Sequence, residues 1–219
     1  MRIGTDFERN LMKSYHTEMK SKIFAIAAFA ALALSSCSSG PKDLSKKIPD
    51  NVLRTFCLVR YDVNQDKKIS LDEADTVRTM DISDLNIKSL KGLENFRNLR
   101  NLNCSRTTIK VFDSALPSLQ VLKCTHNPDL ATINLSGCPA LQFLYASHSG
   151  LKSLSLTSQT DLFRLWIDNT PVSRLDLSGC PRINNINVMN CPSLKELTLS
   201  TEVNREVLYL AKDDALVVK

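Results

Sequence analysis

The chain has 219 residues, 43% hydrophobic and 23% charged, with 6 Gly and 8 Pro. That composition excludes a collagen, a disordered chain and a multi-span membrane protein, and the length fits one domain with a small appendage. The net charge of +5 falls to +3 once residues 1–36, with five basic and three acidic side chains, are set aside. So small an excess is no nucleic-acid footprint. Aromatic residues make up only 6%, so the core must be aliphatic.

Lys20 and Lys22 precede an uncharged, apolar run over residues 23–34. The run falls short of the about 20 residues that a spanning helix needs, and behind a basic segment it reads as a signal peptide. Met19, next to the basic pair, makes a better start than Met1. The run ends in Leu34-Ser35-Ser36-Cys37, which resembles a bacterial lipobox, in which the cysteine is lipidated and becomes the mature N-terminus. Ser36 stands where Gly or Ala is usual, and an ordinary secretory signal cleaved near Ser36 is the other reading. Residues 1–36 are thus expected to be a signal peptide and 37–48 a lipidated polar tether.

Residues 49–76 read as a helix-loop-helix cap. Asp62, Asn64, Asp66, Lys68, Ser70 and Glu73 fall at positions 1, 3, 5, 7, 9 and 12 of a loop that resembles an EF-hand, Lys68 through its carbonyl and the others through side chains. Calcium takes six to eight hard oxygens, which suits this alternation. Ile69 holds the apolar position that such loops place in a short β contact. Lys67 departs from the glycine of the sharp turn, at a cost of about 1 kcal/mol for a left-handed residue. Calcium is therefore the expected cofactor, and a degenerate, metal-free loop is the alternative.

Residues 77–200 repeat. Leu99-x-x-Leu102-x-Cys104 recurs from Leu119, Leu141, Leu162 and Ile183, at intervals of 20, 22, 21 and 21 residues, with a weaker copy from Val77. Three residues past each motif stands Thr107, Asn127, Ser149, Thr170 or Cys191. A second half repeats strand-like alternation, as in Leu151-x-x-Leu154-x-Leu156, without helical spacing. This is the leucine-rich repeat pattern. The expected fold is a mostly-β solenoid with two short strands per coil and little helix, followed by a C-terminal cap over 201–219.

Leu-Ser-Gly-Cys-Pro occurs at 135–139 and again at 177–181, and Asn190-Cys191-Pro192 echoes it. With these words the chain, over residues 19–200, resembles the leucine-rich repeat lipoproteins exported by Gram-negative anaerobes, several of which carry an EF-hand-like loop before the repeats. The resemblance implies a protein of the cell envelope, lipid-anchored to the outer membrane on its surface or periplasmic face. It names no ligand.

Cys104 and Cys124 fall in an inward column, as small core hydrophobes. Cys138 and Cys180 lie two coils apart, about 9–10 Å, too far for a disulfide. Outward positions on the first strands converge on Lys123, Phe143, Tyr145, Arg164, Trp166 and Asp168, flanked by small polar residues in columns that include Ser105 and Ser147. A cluster of aromatic and Arg side chains in such a setting suggests a binding hot spot. The competing reading is that the rings merely cover neighbouring rungs, or meet a terminal segment folded over the sheet. His126 and His148 occupy equivalent places on adjacent coils and read as solvated loop residues, with no third metal ligand aligned. The sequence thus points to a monomeric, non-enzymatic protein that binds another protein through its exposed strand face. Glycan capture, with Tyr145 and Trp166 stacking on sugars and Asp168 accepting hydroxyls, and a purely structural envelope role are the alternatives.

Overall fold

The structure, a computed structural model, describes residues 42–156 and 158–200, together with the backbone of short strands at 208–209 and 217–218. The signal peptide, Cys37 and residues 38–41 lie outside the described residues, as does most of 201–219.

The chain opens with a 3-10 turn, Leu44–Lys47, then helix α1 (Asn51–Tyr61) and helix α2 (Leu71–Thr76). The repeats follow as β1 (Thr79–Asp81), β2 (Asn101–Asn103), β3 (Val111–Phe112), β4 (Val121–Lys123), β5 (Thr132–Ile133), β6 (Phe143–Tyr145) and β7 (Ser153–Ser155). They continue as β8 (Arg164–Trp166), β9 (Arg174–Leu177), β10 (Asn185–Asn187), β11 (Glu196–Leu199), β12 (Leu208–Tyr209) and β13 (Val217–Val218). Two parallel sheets result. The first runs β1-β2-β4-β6-β8-β10-β12 and the second β13-β11-β9-β7-β5-β3. The expected two-stranded coil with little helix is what forms, except that the first coil carries no strand in the second sheet.

Every strand is short because the chain must turn twice per coil. Register is kept without slippage: Leu102 pairs with Leu122, Leu122 with Leu144, Leu144 with Leu165 and Leu165 with Ile186. These side chains are at most 1% exposed, so one aliphatic column runs through the core. No single coil buries its apolar face alone; the stack does.

The turn after each first-sheet strand from β1 to β10 follows one rule. Asp84, Arg106, His126, His148, Asn169 and Asn190 all take left-handed backbone, with φ between 54° and 61°. The next residue folds inward. Thr107, Ser149 and Thr170 donate their hydroxyls to the carbonyls of Cys104, Ala146 and Ile167 at 2.7–2.9 Å. Asn127 bridges two coils. Its Nδ2 donates to the carbonyls of Cys104 and Cys124, at 2.9 and 3.1 Å, and its Oδ1 accepts the Thr107 amide at 2.7 Å. All of these side chains are buried. A buried carbonyl left without a donor is costly, which is why a polar residue recurs inside the core.

The cap closes the N-terminal end. Leu53 and Cys57 of α1, with Ile69 and Ala74, join the repeat core, and Tyr61 packs its ring on Phe96 at 5.9 Å. Val52 and Val59, apolar on the same helix, face solvent. Asp50 joins cap to first coil. Its Oδ1 accepts the amides of Val52 and Leu53, capping α1, and its Oδ2 accepts those of Lys88 and Ser89 at 2.8 and 3.3 Å. Gly92, at φ 100°, lets the first coil approach this cap; a Cβ there would lie 2.6 Å from Ile48.

Two expectations are corrected, on the tether and on two serines, and the C-terminal segment gains detail. Leu44, Ser45 and Ile48, counted in the polar tether, are buried in the cap, because Leu44 donates its amide to the Ile69 carbonyl at 2.8 Å and so enters the core. The C-terminal cap over 201–219 contributes strands to both sheets, β12 pairing in parallel with β10 and β13 with β11. Ser105 and Ser147, expected to face outward, are buried at the sheet margin, where neighbouring coils cover them.

Two stability predictions follow from the turns and the cap. Asn127→Ala leaves the Cys124 carbonyl and the Thr107 amide without their partner, while the Cys104 carbonyl keeps the Thr107 hydroxyl, and should cost about 2–4 kcal/mol in denaturant unfolding. Asp50 supplies a pH-dependent part. Burial pushes its pKa up, but hydrogen bonds from the amides of Lys88, Leu53, Ser89 and Val52 outweigh this and hold it below the ordinary aspartate value. Its contribution is therefore complete above the unfolded pKa of about 3.9 and is lost as pH falls through the lower folded value. Asp50→Asn should destabilise the protein at neutral pH and flatten the acid limb of its stability profile.

Candidate functional site

The outward faces of β4, β6 and β8 build one cluster. Register places Lys123, Tyr145 and Trp166 in one row, and Val121, Phe143 and Arg164 in the next. Tyr145 and Trp166 meet edge to face, centroids 5.3 Å apart at 89°. The Arg164 guanidinium lies 5.3 Å from the Trp166 ring and 5.9 Å from that of Phe143, and donates to the Tyr145 hydroxyl at 3.1 Å. Lys123 Nζ stands 5.7 Å over the Tyr145 ring. Trp166 Nε1 donates to Asn185 Oδ1 on the next coil at 2.5 Å, which fixes the indole.

The structure brings together Lys123, Phe143, Tyr145, Arg164, Trp166 and Asp168. None of the six is fully exposed; each is half-buried by its neighbours. Asp168 stands beside the rings. Its Oδ1 accepts from the Ser147 hydroxyl and Asn187 Nδ2, and its Oδ2 accepts from Asn169 Nδ2 at 2.8 Å. Phe163, 41% exposed and edge-on to Phe143 at 6.1 Å, extends the patch and escaped the sequence reading. Strand parity follows only the strand itself, while Phe163 sits in the bend before β8. The two positions between Leu162 and Leu165 both face away from the core, and that spacing was the available signal. The expected terminal alternative, a strand laid over the rings, is not what β12 does: it extends the sheet at its end.

His126 and His148 stack with centroids 4.6 Å apart and planes 15° apart. Their place has a backbone reason. Both sit in the left-handed column, where Asn, Asp and His are the side chains enriched. Neighbours in that column pair likewise: Arg106 clasps Asp84 through two hydrogen bonds and Asn190 donates to Asn169. Among the described residues no group of three or more His, Cys, Asp or Glu side chains gathers as a metal ion would require.

The loop residues Asp62, Asn64, Asp66, Lys68, Ser70 and Glu73 lie between α1 and α2 as the spacing predicts. The second helix begins at Leu71 because Ser70 caps it, its hydroxyl accepting the Glu73 amide at 3.2 Å. The six described cysteines, Cys57, Cys104, Cys124, Cys138, Cys180 and Cys191, are buried free thiols. Burial pushes Cys57 and Cys104 up to about 12, so neither is a nucleophile at neutral pH. A groove of about 790 Å³ opens where the first coil diverges from β3, lined by Lys88, Lys91 and Lys110 against Glu94, Asp113 and Asp129. Its three lysines balance its three carboxylates.

A search of curated proteins finds no match. Among solved structures, an internalin (inlF) from Listeria monocytogenes is 18% identical, with a TM-score of 0.55, over 74% of this chain and 53% of that one. An internalin C2 (inlC2) from the same organism is 16% identical over 84% of this chain and 100% of that one, with a TM-score of 0.46. The chain thus spans about half the length of the first of these. The likeness to the first of these shows the fold, a leucine-rich repeat solenoid. A family profile described as the leucine-rich repeat domain of the endo-beta-N-acetylglucosaminidase EndoS matches residues 48–169, more than half of the chain. With that match and its coil geometry, the chain belongs to the leucine-rich repeat family represented by that domain.

Proposed function

We propose that this is a lipid-anchored protein of the cell envelope that binds another protein through the first sheet, with Tyr145, Arg164 and Trp166 at the centre of the contact. Its role is recognition rather than catalysis. The observation that carries the reading is the interlocked cluster on β6 and β8. Trp, Tyr and Arg are the side chains enriched at interface hot spots, and here each is fixed by another before any partner arrives. Such preorganisation lowers the ordering cost of association. Among the described residues the second sheet carries no ring on its outward side, where Val111, Thr132, Ser153, Ser155, Arg174, Asp176, Glu196 and Thr198 stand.

A glycan ligand fits less well. Stacking on sugar needs free ring faces, and cations stand over Tyr145, Phe143 and Trp166. Asp168, offered as the acceptor of sugar hydroxyls, already accepts three hydrogen bonds.

Lipidation at Cys37 is tested directly. Cys37→Ala should abolish membrane fractionation and leave an unprocessed or soluble form, whereas a variant with normal mature mass in the membrane fraction ends the lipoprotein reading. The binding face is tested by capture from envelope and host extracts in parallel with a glycan array. Trp166→Ala should weaken protein binding by about 2 kcal/mol, roughly 30-fold, and Ser155→Ala should leave it unchanged. Binding indifferent to Trp166 removes this face as the site, and a glycan hit sensitive to Trp166 moves the reading to sugars.

A further inference from the structure

We propose that the loop at residues 62–73 is a metal-free clip, closed by the Glu73 carboxylate where an EF-hand is closed by its cation. An ionised carboxylate has about four lone-pair sites. In Glu73 all four are taken. Oε1 accepts the amides of Val63 at 2.9 Å and Asn64 at 3.4 Å, and Oε2 accepts the amide and the hydroxyl of Ser70 at 2.9 and 2.8 Å. Val63 and Asn64 enter the loop and Ser70 leaves it, so one side chain spans the closure that a bidentate metal ligand would make through an ion. The group is only 9% exposed, and its four donors replace the water it has lost. A calcium ion held in bidentate fashion would have to displace every one of them.

The remaining oxygens serve the loop's own backbone. Asp62 accepts the amides of Asp66 and Lys67, Asn64 that of Asp66, and Asp66 that of Lys68. Gln65 and Lys67 take left-handed backbone, φ 60° and 63°, so the sharp turn is made without glycine. Its residues carry two ammonium groups, of Lys67 and Lys68, both exposed at the rim. Ile69, the residue that such loops place in a short β contact, finds its partner within this chain. Its carbonyl accepts the Leu44 amide and its own amide donates to Asp43 Oδ1, while its side chain is fully buried. The pattern of calcium ligands thus persists as a pattern of amide acceptors.

Thermal melting of the full chain in millimolar calcium and in chelator, with calcium titration calorimetry, tests the clip. The two melts should superimpose and calcium should release no heat. Glu73→Gln turns an NH2 toward donors that need an acceptor, and should lower Tm by several degrees, equally in both buffers. Asp66→Asn keeps the oxygen that accepts the Lys68 amide and should melt as the parent chain does. A parent Tm that rises in calcium, with the rise lost in Asp66→Asn, overturns the proposal and makes the loop a calcium site. So does a Glu73→Gln variant as stable as the parent. The comparison of buffers on the unaltered chain decides even where Glu73→Gln does not fold.

Discussion

A chain that coils through its own apolar core must turn there, and each turn strands a carbonyl in surroundings that offer no water. This constraint governs the repeats. Thr107, Asn127, Ser149 and Thr170 meet it from inside, each donating to the carbonyl three residues back, and Cys191 extends the column with its thiol toward the Ile167 carbonyl at 3.2 Å. Meeting it requires the preceding residue to be left-handed, which fixes where every coil bends. A fixed bend fixes the strand register, and the register decides which outward side chains become neighbours. The recognition face is thus a consequence of the turn: Tyr145 touches Trp166 because Ala146 and Ile167 are held at one depth by the turns that follow them.

In-register parallel stacking has a second consequence. Equivalent positions repeat at the strand spacing of about 4.8 Å, so chemistry is organised in columns. A column of like residues either pairs or repels. This chain uses complementary or stacking neighbours, Asp84 with Arg106, His126 with His148, Asn169 with Asn190. The aromatic cluster departs from its columns, where β2 presents Asn101 and Asn103 and β10 presents Asn185 and Asn187. Among the described side chains on this outward face the large rings fall on two adjacent coils, with Val121 and Lys123 of β4 on one side and Asn185 and Asn187 of β10 on the other.

Much of this was legible in the sequence, and what was not has physical causes. The Leu-x-x-Leu-x spacing and the polar residue three places on specify both strand and turn, since each reports an obligatory burial. Parity also gave the direction of Phe143, Tyr145, Arg164 and Trp166. It could not give depth: a side chain that points outward is still half-buried when its neighbours are rings, and Ser105 and Ser147 are buried although they follow the same alternation. Leu44 and Ile48 looked like part of a tether because two short apolar residues among Lys and Ser carry no periodicity. The bond from the Leu44 amide to the Ile69 carbonyl, with the 3-10 turn that carries Ile48 after it, draws them in. The loop at 62–73 shows the limit of a motif most sharply. Spacing identifies oxygens able to ligate but is silent on what else accepts their lone pairs.

The cap answers the problem of ends. A solenoid's first coil exposes apolar edge that no earlier coil covers, and terminal units must differ from internal ones for that reason. Here the cover is a short helix pair too small to be stable by its own core, with only Leu53, Cys57, Ile69 and Ala74 buried beside the Leu44 and Ile48 that precede it. Two carboxylates make up the difference. Asp50 accepts four amides and bolts α1 to the first coil; Glu73 accepts three amides and a hydroxyl and holds the loop between the helices. Both are held below the ordinary carboxylate range, against burial that pushes them up, by the hydrogen bonds that they accept. A carboxylate saturated in this way carries its own counter-dipoles, which is why a small cap can bury charge where a larger domain would bury leucine.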